Sequence, residues 1–291
     1  MDQRTTSHSV NSIALLATGD EICNGDIINS NAPEIARRLF AAGMQVDTHM
    51  VVADQRDAIK QAMEFLLKKH RALIITGGLG PTSDDLTRFA LSDVLDKPLK
   101  FNDKIWEEIV SRLKRFGYLT PPESNRQQAL FPEDATVLQN ANGTAAGCAA
   151  EYNGQLIFML PGPPAECLPM LHEYVLPRLK AAGFQHINYH KNWLLFGVSE
   201  GEMAEKLDDL AKPYACTTGY RICHPYLEFK LHSNQAADFN ALLPLIENKI
   251  APYIVADGQK TASELLKQTL RTLKQPLLIC DLATGLSLIH I

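Results

Sequence analysis

Short apolar runs alternate with helix-spaced apolar positions from residue 13 to residue 180. Ile13–Ala17 and Ala72–Thr76 read as fully buried strands, and Met44–Val52 alternates as a half-buried strand does. Between them, Ile35, Leu39 and Phe40 share one face of a helix, with Asn31 as a candidate cap, Pro33 in the first turn and Gly43 as the stop. Gln55–Lys69 is amphipathic through Ile59, Met63 and Leu66. Further on, Leu86, Phe89, Ala90 and Val94 fall on one helical face, and Asn102–Phe116 carries the stripe Ile105, Trp106, Ile109 and Leu113. Thr136–Leu138, Ala149–Tyr152 and Gln155–Leu160 predict three more strands, the last two joined by an Asn153-Gly154 hairpin turn. A helix over Ala165–Lys180 closes the series. Strands alternating with helices at this spacing imply right-handed crossovers and an α/β fold with a mostly parallel sheet.

From residue 185 to 256 the pattern changes to βαββαβ. Its strands are Trp193–Val198, Thr217–Cys223, Tyr226–His232 and Tyr253–Val255, its helices Glu200–Leu210 and Ala236–Ile250, with a turn at Pro225. This order predicts a small α+β module. It has no GxxG clamp and no RNP-like aromatic set, so RNA binding is not expected. His224, Tyr226 and His232 read as core or surface residues rather than ligands. Thr261–Lys274 predicts a helix, followed by the apolar run Leu277–Cys280, as if a third domain opened over 261–291.

Composition narrows the classes. The chain has 291 residues, 46% hydrophobic and 21% charged, enough for two domains with proper cores. A net charge of −5 weighs against nucleic acid as a partner. The six cysteines are scattered without a CxxC pair, which suggests reduced thiols rather than a disulfide frame or zinc site. The polar N-terminus and the lack of a membrane-length apolar run lead to the expectation of a soluble, cytoplasmic protein.

The chemistry concentrates in four turns. Thr76–Thr87, reading TGGLGPTSDDLT, follows a buried strand and precedes a helix. Its glycines allow close backbone approach to a ligand, and the helix N-terminus favours phosphate. Asp84 and Asp85 would repel a phosphate unless a divalent cation such as Mg2+ lay between. The plainer alternative is that Ser83 caps the helix and the aspartates complement its dipole. The second turn places Asp20 and Glu21 just beyond the first strand, where open α/β sheets bind ligands. The third is the small-residue loop Asn140–Gly147, and the fourth is Pro161–Glu166, in which Glu166 either serves the helix dipole or enters the pocket. In a parallel sheet these four turns converge on one crevice. The polar segment Thr120–Gln128, with Asn125 and Arg126, is either a surface loop or a lid supplying an amide and a guanidinium.

TGDEICNGDIINSN, ITGGLGPTSDDLT, NANGTAAG and LPGPPAE, in this order and spacing, resemble the N-terminal region of the CinA (competence/damage-inducible protein A) family. That region belongs to the MoaB/Mog molybdopterin-binding superfamily. The resemblance implies a three-layer α/β sandwich over residues 10–182, and residues 185–256 are similar to the small KH-type domain that follows in CinA proteins. It implies a pyrophosphatase that acts on ADP-ribose or a related nucleotide diphosphate and depends on Mg2+ or Co2+. In molybdopterin-handling relatives the same pocket binds a pterin or its adenylylated form. A non-catalytic binding module and a vestigial scaffold are therefore the alternatives, and a homodimer is expected.

On that resemblance Asp85 would hold the metal, helped by Asp84, Asp20 or Glu21. Gly77, Gly78, Gly80 and Thr82 would cradle the diphosphate, while Asn31, Asn125, Asn140, Gly143, Thr144 and Gly162 would shape the pocket. Glu166 is the secondary acid, base or metal candidate, and Arg126 the one basic residue nominated. The chain departs from the family pattern at Asn29, often aspartate, at Asn142, often valine, and at Cys148, often aromatic. The loss at position 29 removes one potential metal or ribose contact. CinA proteins often add a nicotinamide mononucleotide deamidase marked by AESCTGG. Here the corresponding stretch Cys280–Leu286 puts Leu282 in place of the nucleophilic serine, so deamidation is not expected.

Overall fold

The apolar runs become strands close to where their spacing places them. A computed structural model describes residues 11–257 and 262–273, and the chain divides into two units, residues 1–185 and 186–291. The first unit begins with β1 (Ile13–Thr18), the short α1 (Asp20–Cys23), α2 (Asn31–Ala41), β2 (Val46–Val52), α3 (Arg56–Leu67) and β3 (Ala72–Thr76). It continues through α4 (Thr87–Leu95), β4 (Leu99–Phe101), α5 (Asp103–Arg115), a 3-10 turn at Glu123–Ala129, β5 (Leu130–Pro132) and β6 (Thr136–Leu138). The hairpin β7 (Gly147–Tyr152) and β8 (Gln155–Leu160) leads into α6 (Pro164–Met170), a π turn (Leu171–Val175) and α7 (Leu176–Ala181).

Six strands form one sheet in the order β2-β1-β3-β8-β7-β6. The four from β2 to β8 are parallel, and β7 and β6 add antiparallel pairings at one side. Every residue of β1 and β3 is buried because helices cover both faces. Ala14, Leu16, Leu73 and Ile75 pack on α3, α4 and α5, whereas Ile13, Leu15, Ala72 and Ile74 pack on α2, α6 and α7. This is a three-layer sandwich. The chain leaves β1 for β2 on one side and returns as β3 on the other, so the carboxyl ends of β1 and β3 flank a topological switch point.

The helix expected over Ala165–Lys180 is interrupted. Pro169 has no N–H for the carbonyl of Ala165, and the turn at Leu171–Val175 widens, with the Leu176 amide donating to the Leu171 carbonyl. The freed Ala165 carbonyl accepts the side-chain amide of Asn142 at 2.7 Å, which ties α6 to the loop before β7.

The second unit holds β9 (Tyr189–Phe196), α8 (Glu200–Ala211), β10 (Cys216–Cys223), β11 (Tyr226–Ser233), α9 (Ala236–Ile250) and β12 (Ile254–Asp257). Its sheet, ordered β10-β11-β9-β12, is antiparallel throughout. Both helices pack on one face around Trp193, Leu207, Phe229 and Leu242. The helix α10 (Ala262–Thr272) follows, whereas Leu277–Cys280 and the stretch on to Ile291 lie outside the described residues. Among the described residues no helix is long and apolar enough to cross a membrane.

Candidate functional site

At the carboxyl edge of the parallel strands lies a cleft of about 560 Å³. It is bordered by Thr18 at the end of β1, Asp54 beyond β2, Thr76–Pro81 with Asp84 and Asp85 at and beyond the end of β3, and Pro161–Pro164 with Glu166 beyond β8. The loop before β7 reaches it through Thr144 and Ala145, because β7 runs antiparallel to β8 and starts at that same edge. Glu21, Gly77, Gly78, Gly80, Asp84, Asp85, Thr144, Gly162 and Glu166 all face this one space, as does Asn31. The four turns converge.

The glycine-rich loop keeps its shape through contacts the sequence hides. Gly77 has φ +100, and a Cβ there would stand 2.5 Å from the Thr18 carbonyl oxygen, so no other residue fits without strain. Gly78, with φ +64, sits against the Thr87 hydroxyl, itself 3.1 Å from that of Thr18. The Asp85 carboxylate turns back into its own loop. It accepts the Gly80 amide at 2.6 Å, the Thr82 amide at 2.8 Å and the Thr82 hydroxyl. Helix α4 begins only at Thr87, with Leu86 as an uncapped start, so Ser83 is not a cap.

This corrects two expectations. The amides of Gly80 and Thr82 are occupied by a carboxylate rather than turned to a phosphate, and Thr82 does not line the cleft. Asp85 is the anion that organises the loop, which leaves Asp84 as the freer of the two carboxylates.

Behind this loop stands Arg88, fully buried, whose guanidinium donates to the carbonyls of Leu79, Gln127 and Leu130. Burial lowers its pKa to about 10, so it stays cationic at neutral pH. The Gln127 side chain adds bonds to the carbonyls of Gly80 and Thr82. With its carbonyls drawn inward, the loop presents glycine backbone to the cleft.

A second arginine does the same for the loop before β7. Arg112 donates to the carbonyls of Gly143, Asn140 and Ala141, while Asn140 accepts the amides of Asn142 and Gly143. The Asn140 side-chain amide donates to Glu166 at 2.6 Å, fixing one carboxylate oxygen of the one acid that this side of the cleft contributes. Asn140 and Gly143 thus sit outside the lining of the cleft, where Asn140 orients Glu166.

Arg126 and Asn125 do not reach the cleft. Arg126 stacks over Phe101 at 4.6 Å and Trp106 at 5.4 Å and pairs with Glu123, and the Asn125 amide is buried on Gln128. The 3-10 turn points them away, and the cleft receives Gln128. The lid reading is therefore replaced by a fixed wall. Asn31 is not the cap of α2 either: Asn29 accepts the Ala32 amide, and Asn31 donates to the Gly162 carbonyl at 2.5 Å.

The acidic end contains one residue that the sequence reading missed. Asp54 and Asp20 exchange bonds, each accepting the other's backbone amide at 3.0–3.1 Å. Burial raises the Asp54 pKa, the bond from the Asp20 amide opposes this, and the charges of Asp20, Glu21 and Asp84 raise it further. Its Oδ1 is buried without a hydrogen-bond partner. Among the described residues no group of three or more His, Cys, Asp or Glu is already placed to hold a metal ion. The orphaned Asp54 oxygen, under the charges of Asp20, Glu21 and Asp84, makes this the end of the cleft where a hard divalent cation would be favoured. A polar residue after the half-buried β2 was the available signal, since it shares the strand edge of Asp20.

The fold and site define a class of domain, a three-layer α/β sandwich with a ligand-sized cleft at its switch point. Residues 14–181 match the family model of a probable molybdopterin binding domain. The competence-damage inducible protein of Clostridium novyi is 34% identical over 269 residues, covering 88% of this chain and 63% of that protein. Its counterpart from Thermoanaerobacter pseudethanolicus is 31% identical over 278 residues, 93% of this chain and 67% of that one. The crystal structure of CinA, of unknown function, from Thermoplasma acidophilum is similar at TM-score 0.52 and 28% identity, over 56% of this chain and 94% of that one. The chain belongs to the CinA family, and it spans about two-thirds of the length of these two curated relatives.

Proposed function

We propose that the cleft hydrolyses the diphosphate linkage of ADP-ribose or a related nucleotide in a reaction dependent on a divalent cation. The observation that carries this reading is the buried, unpartnered Oδ1 of Asp54 set among Asp20, Glu21 and Asp84. A diphosphate enters such a site only with its charge balanced. Asp54, Asp84 and Glu21 would hold Mg2+ or Co2+, with Asp20 steadying Asp54 through the paired amide bonds. Bound there, the cation would polarise a phosphoryl oxygen and offset the developing charge.

The chain's own residues supply the rest. The backbone of Gly77 and Gly78 lets a phosphate approach the strand end closely. Glu166, held by Asn140 on the opposite wall, accepts a proton from the attacking water. Water oxygen bonds to phosphorus as the bridging P–O bond breaks, releasing AMP and ribose phosphate.

Release of AMP from ADP-ribose, measured with Mg2+, Co2+ or EDTA, tests this. Cation-dependent turnover that falls at least a hundredfold in Asp54→Asn and Asp84→Asn is the expected result. The description of the matching family, a probable molybdopterin binding domain, is also compatible with a second reading, a pterin-binding module without turnover. Folded protein that binds a pterin by calorimetry and releases no AMP with any cation would establish that reading instead.

A further inference from the structure

We propose that the turn at residues 114–119, where α5 ends, docks the chain on an anionic lipid surface. Every residue from Lys114 to Thr120 is exposed. Among them are large apolar side chains: Phe116 at 75%, Tyr118 at 50% and Leu119 at 95% exposure. Scattered apolar residues are ordinary on a protein surface, but these adjoin one another and form a patch. The turn is built rather than loose. Gly117 takes φ +91 just past the helix. Its amide donates to the Lys114 carbonyl at 3.0 Å, and the Tyr118 amide donates to the Leu113 carbonyl at 3.1 Å. This pair of bonds is a Schellman cap, which fixes the direction in which the chain leaves the helix. The turn lies outside the lining of the cleft, so the proposal stands apart from either reading of that site.

The charges point to an anionic partner. Lys114 and Arg115 directly precede the apolar residues, and neither enters an ion pair among the described residues. Arg112, by contrast, is taken up by the loop before β7. The acids of α5 lie nearer its start, and Glu123, the next acid along the chain, is paired with Arg126. A plainer account is that the two cations complement the dipole at the helix C-terminus. It explains the charges but not the apolar side chains beside them. Along the turn come cations, then rings, then an aliphatic side chain. These match the layers of an anionic leaflet: charged headgroups, the interface where aromatic rings settle, and hydrocarbon. Single-stranded nucleic acid would use the cations and the rings but offers nothing to Leu119, the most exposed of the patch. A patch of this size gives reversible attachment and needs no spanning helix.

The test sediments the whole chain with vesicles of phosphatidylcholine alone and of equimolar phosphatidylcholine and phosphatidylglycerol. The natural chain should bind the anionic vesicles about tenfold or more tightly than the neutral ones, and that preference should fade as salt is raised. Lys114→Gln and Arg115→Gln should each weaken binding to the anionic vesicles about fivefold, and Leu119→Ser about tenfold. These side chains are exposed, so thermal melts of the three variants should match that of the natural chain. No binding to anionic vesicles, equal binding to both kinds, or binding that survives Leu119→Ser overturns the proposal. Sedimentation velocity without lipid adds a further arm. An oligomer of the natural chain that Leu119→Ser dissociates would put a second copy on the turn and overturn the lipid reading. Tighter binding of a single-stranded oligonucleotide than of anionic vesicles, lost in Arg115→Gln, would overturn it as well.

Discussion

Asp54 holds its charge against its surroundings. Its carboxyl pKa lies above the ordinary 3.8, so in the pH window between those two values the native chain binds more protons than the unfolded one. Stability therefore falls as pH rises through that window, and the full penalty persists above it. Asp54→Asn removes the penalty, and the variant should melt a few degrees higher than the natural chain in EDTA at pH 7. It should gain nothing at acid pH below the window, and should lose any stabilisation by added Mg2+. Thermal melts across pH, with and without the cation, check all three. Arg88 is the reverse case, a buried charge whose two terminal nitrogens donate to three carbonyls while its Nε has no partner. Arg88→Met leaves those carbonyls unpaired and should destabilise by about 3 kcal/mol or more in denaturant unfolding, with Arg88→Lys recovering only part. Neither residue announces itself in sequence. Asp54 is one polar residue in a loop, and Arg88 sits next to the predicted apolar face of α4, whose Phe89 is only half-buried while Arg88 and Leu91 are fully buried.

Turns were the most legible elements. Gly77 and Gly78 follow a buried strand, and their positive φ is what such a glycine pair suggests. Gly77→Ala puts a methyl against the Thr18 carbonyl in a strained backbone region and should cost about 1–3 kcal/mol. It should also raise KM more than it lowers kcat for AMP release, since the loop positions the phosphate. Unfolding midpoints and steady-state kinetics check the two parts. The Asn153-Gly154 hairpin was equally readable, and both residues take positive φ. Helix continuity was less so. Apolar spacing across Ala165–Lys180 is helical, but proline placement decides where the amide ladder fails, and the freed Ala165 carbonyl finds Asn142 only in three dimensions. The Thr120–Gln128 segment shows the same limit. Its composition suits a lid, while the stacking of Arg126 on Phe101 and Trp106 makes it a wall.

Each of the two units has its own apolar core, one on both faces of the six-stranded sheet and one between the small antiparallel sheet and α8 and α9. Residues 11–185 produced alone should therefore give a cooperative melt and retain AMP release, and residues 186–257 should fold without releasing AMP. Circular dichroism and the release assay on the two pieces check this. Periodicity set the α/β class, the longer strands and the split near residue 185, because burial on one or two faces leaves its mark on the spacing of apolar residues; the three-residue β4 and β5 are too short to show a period and were not predicted. Residue type at the strand ends located the cleft, since glycines and carboxylates have few other reasons to follow buried strands. The direction in which each polar side chain points was settled by the tertiary structure. Asp85 turns inward to its loop, Asp54 joins Asp20 across two strands, and Arg88 and Arg112 gather carbonyls from loops 28–42 residues away. Hydrogen bonds between residues far apart in the chain carry no period, so only packing could reveal them.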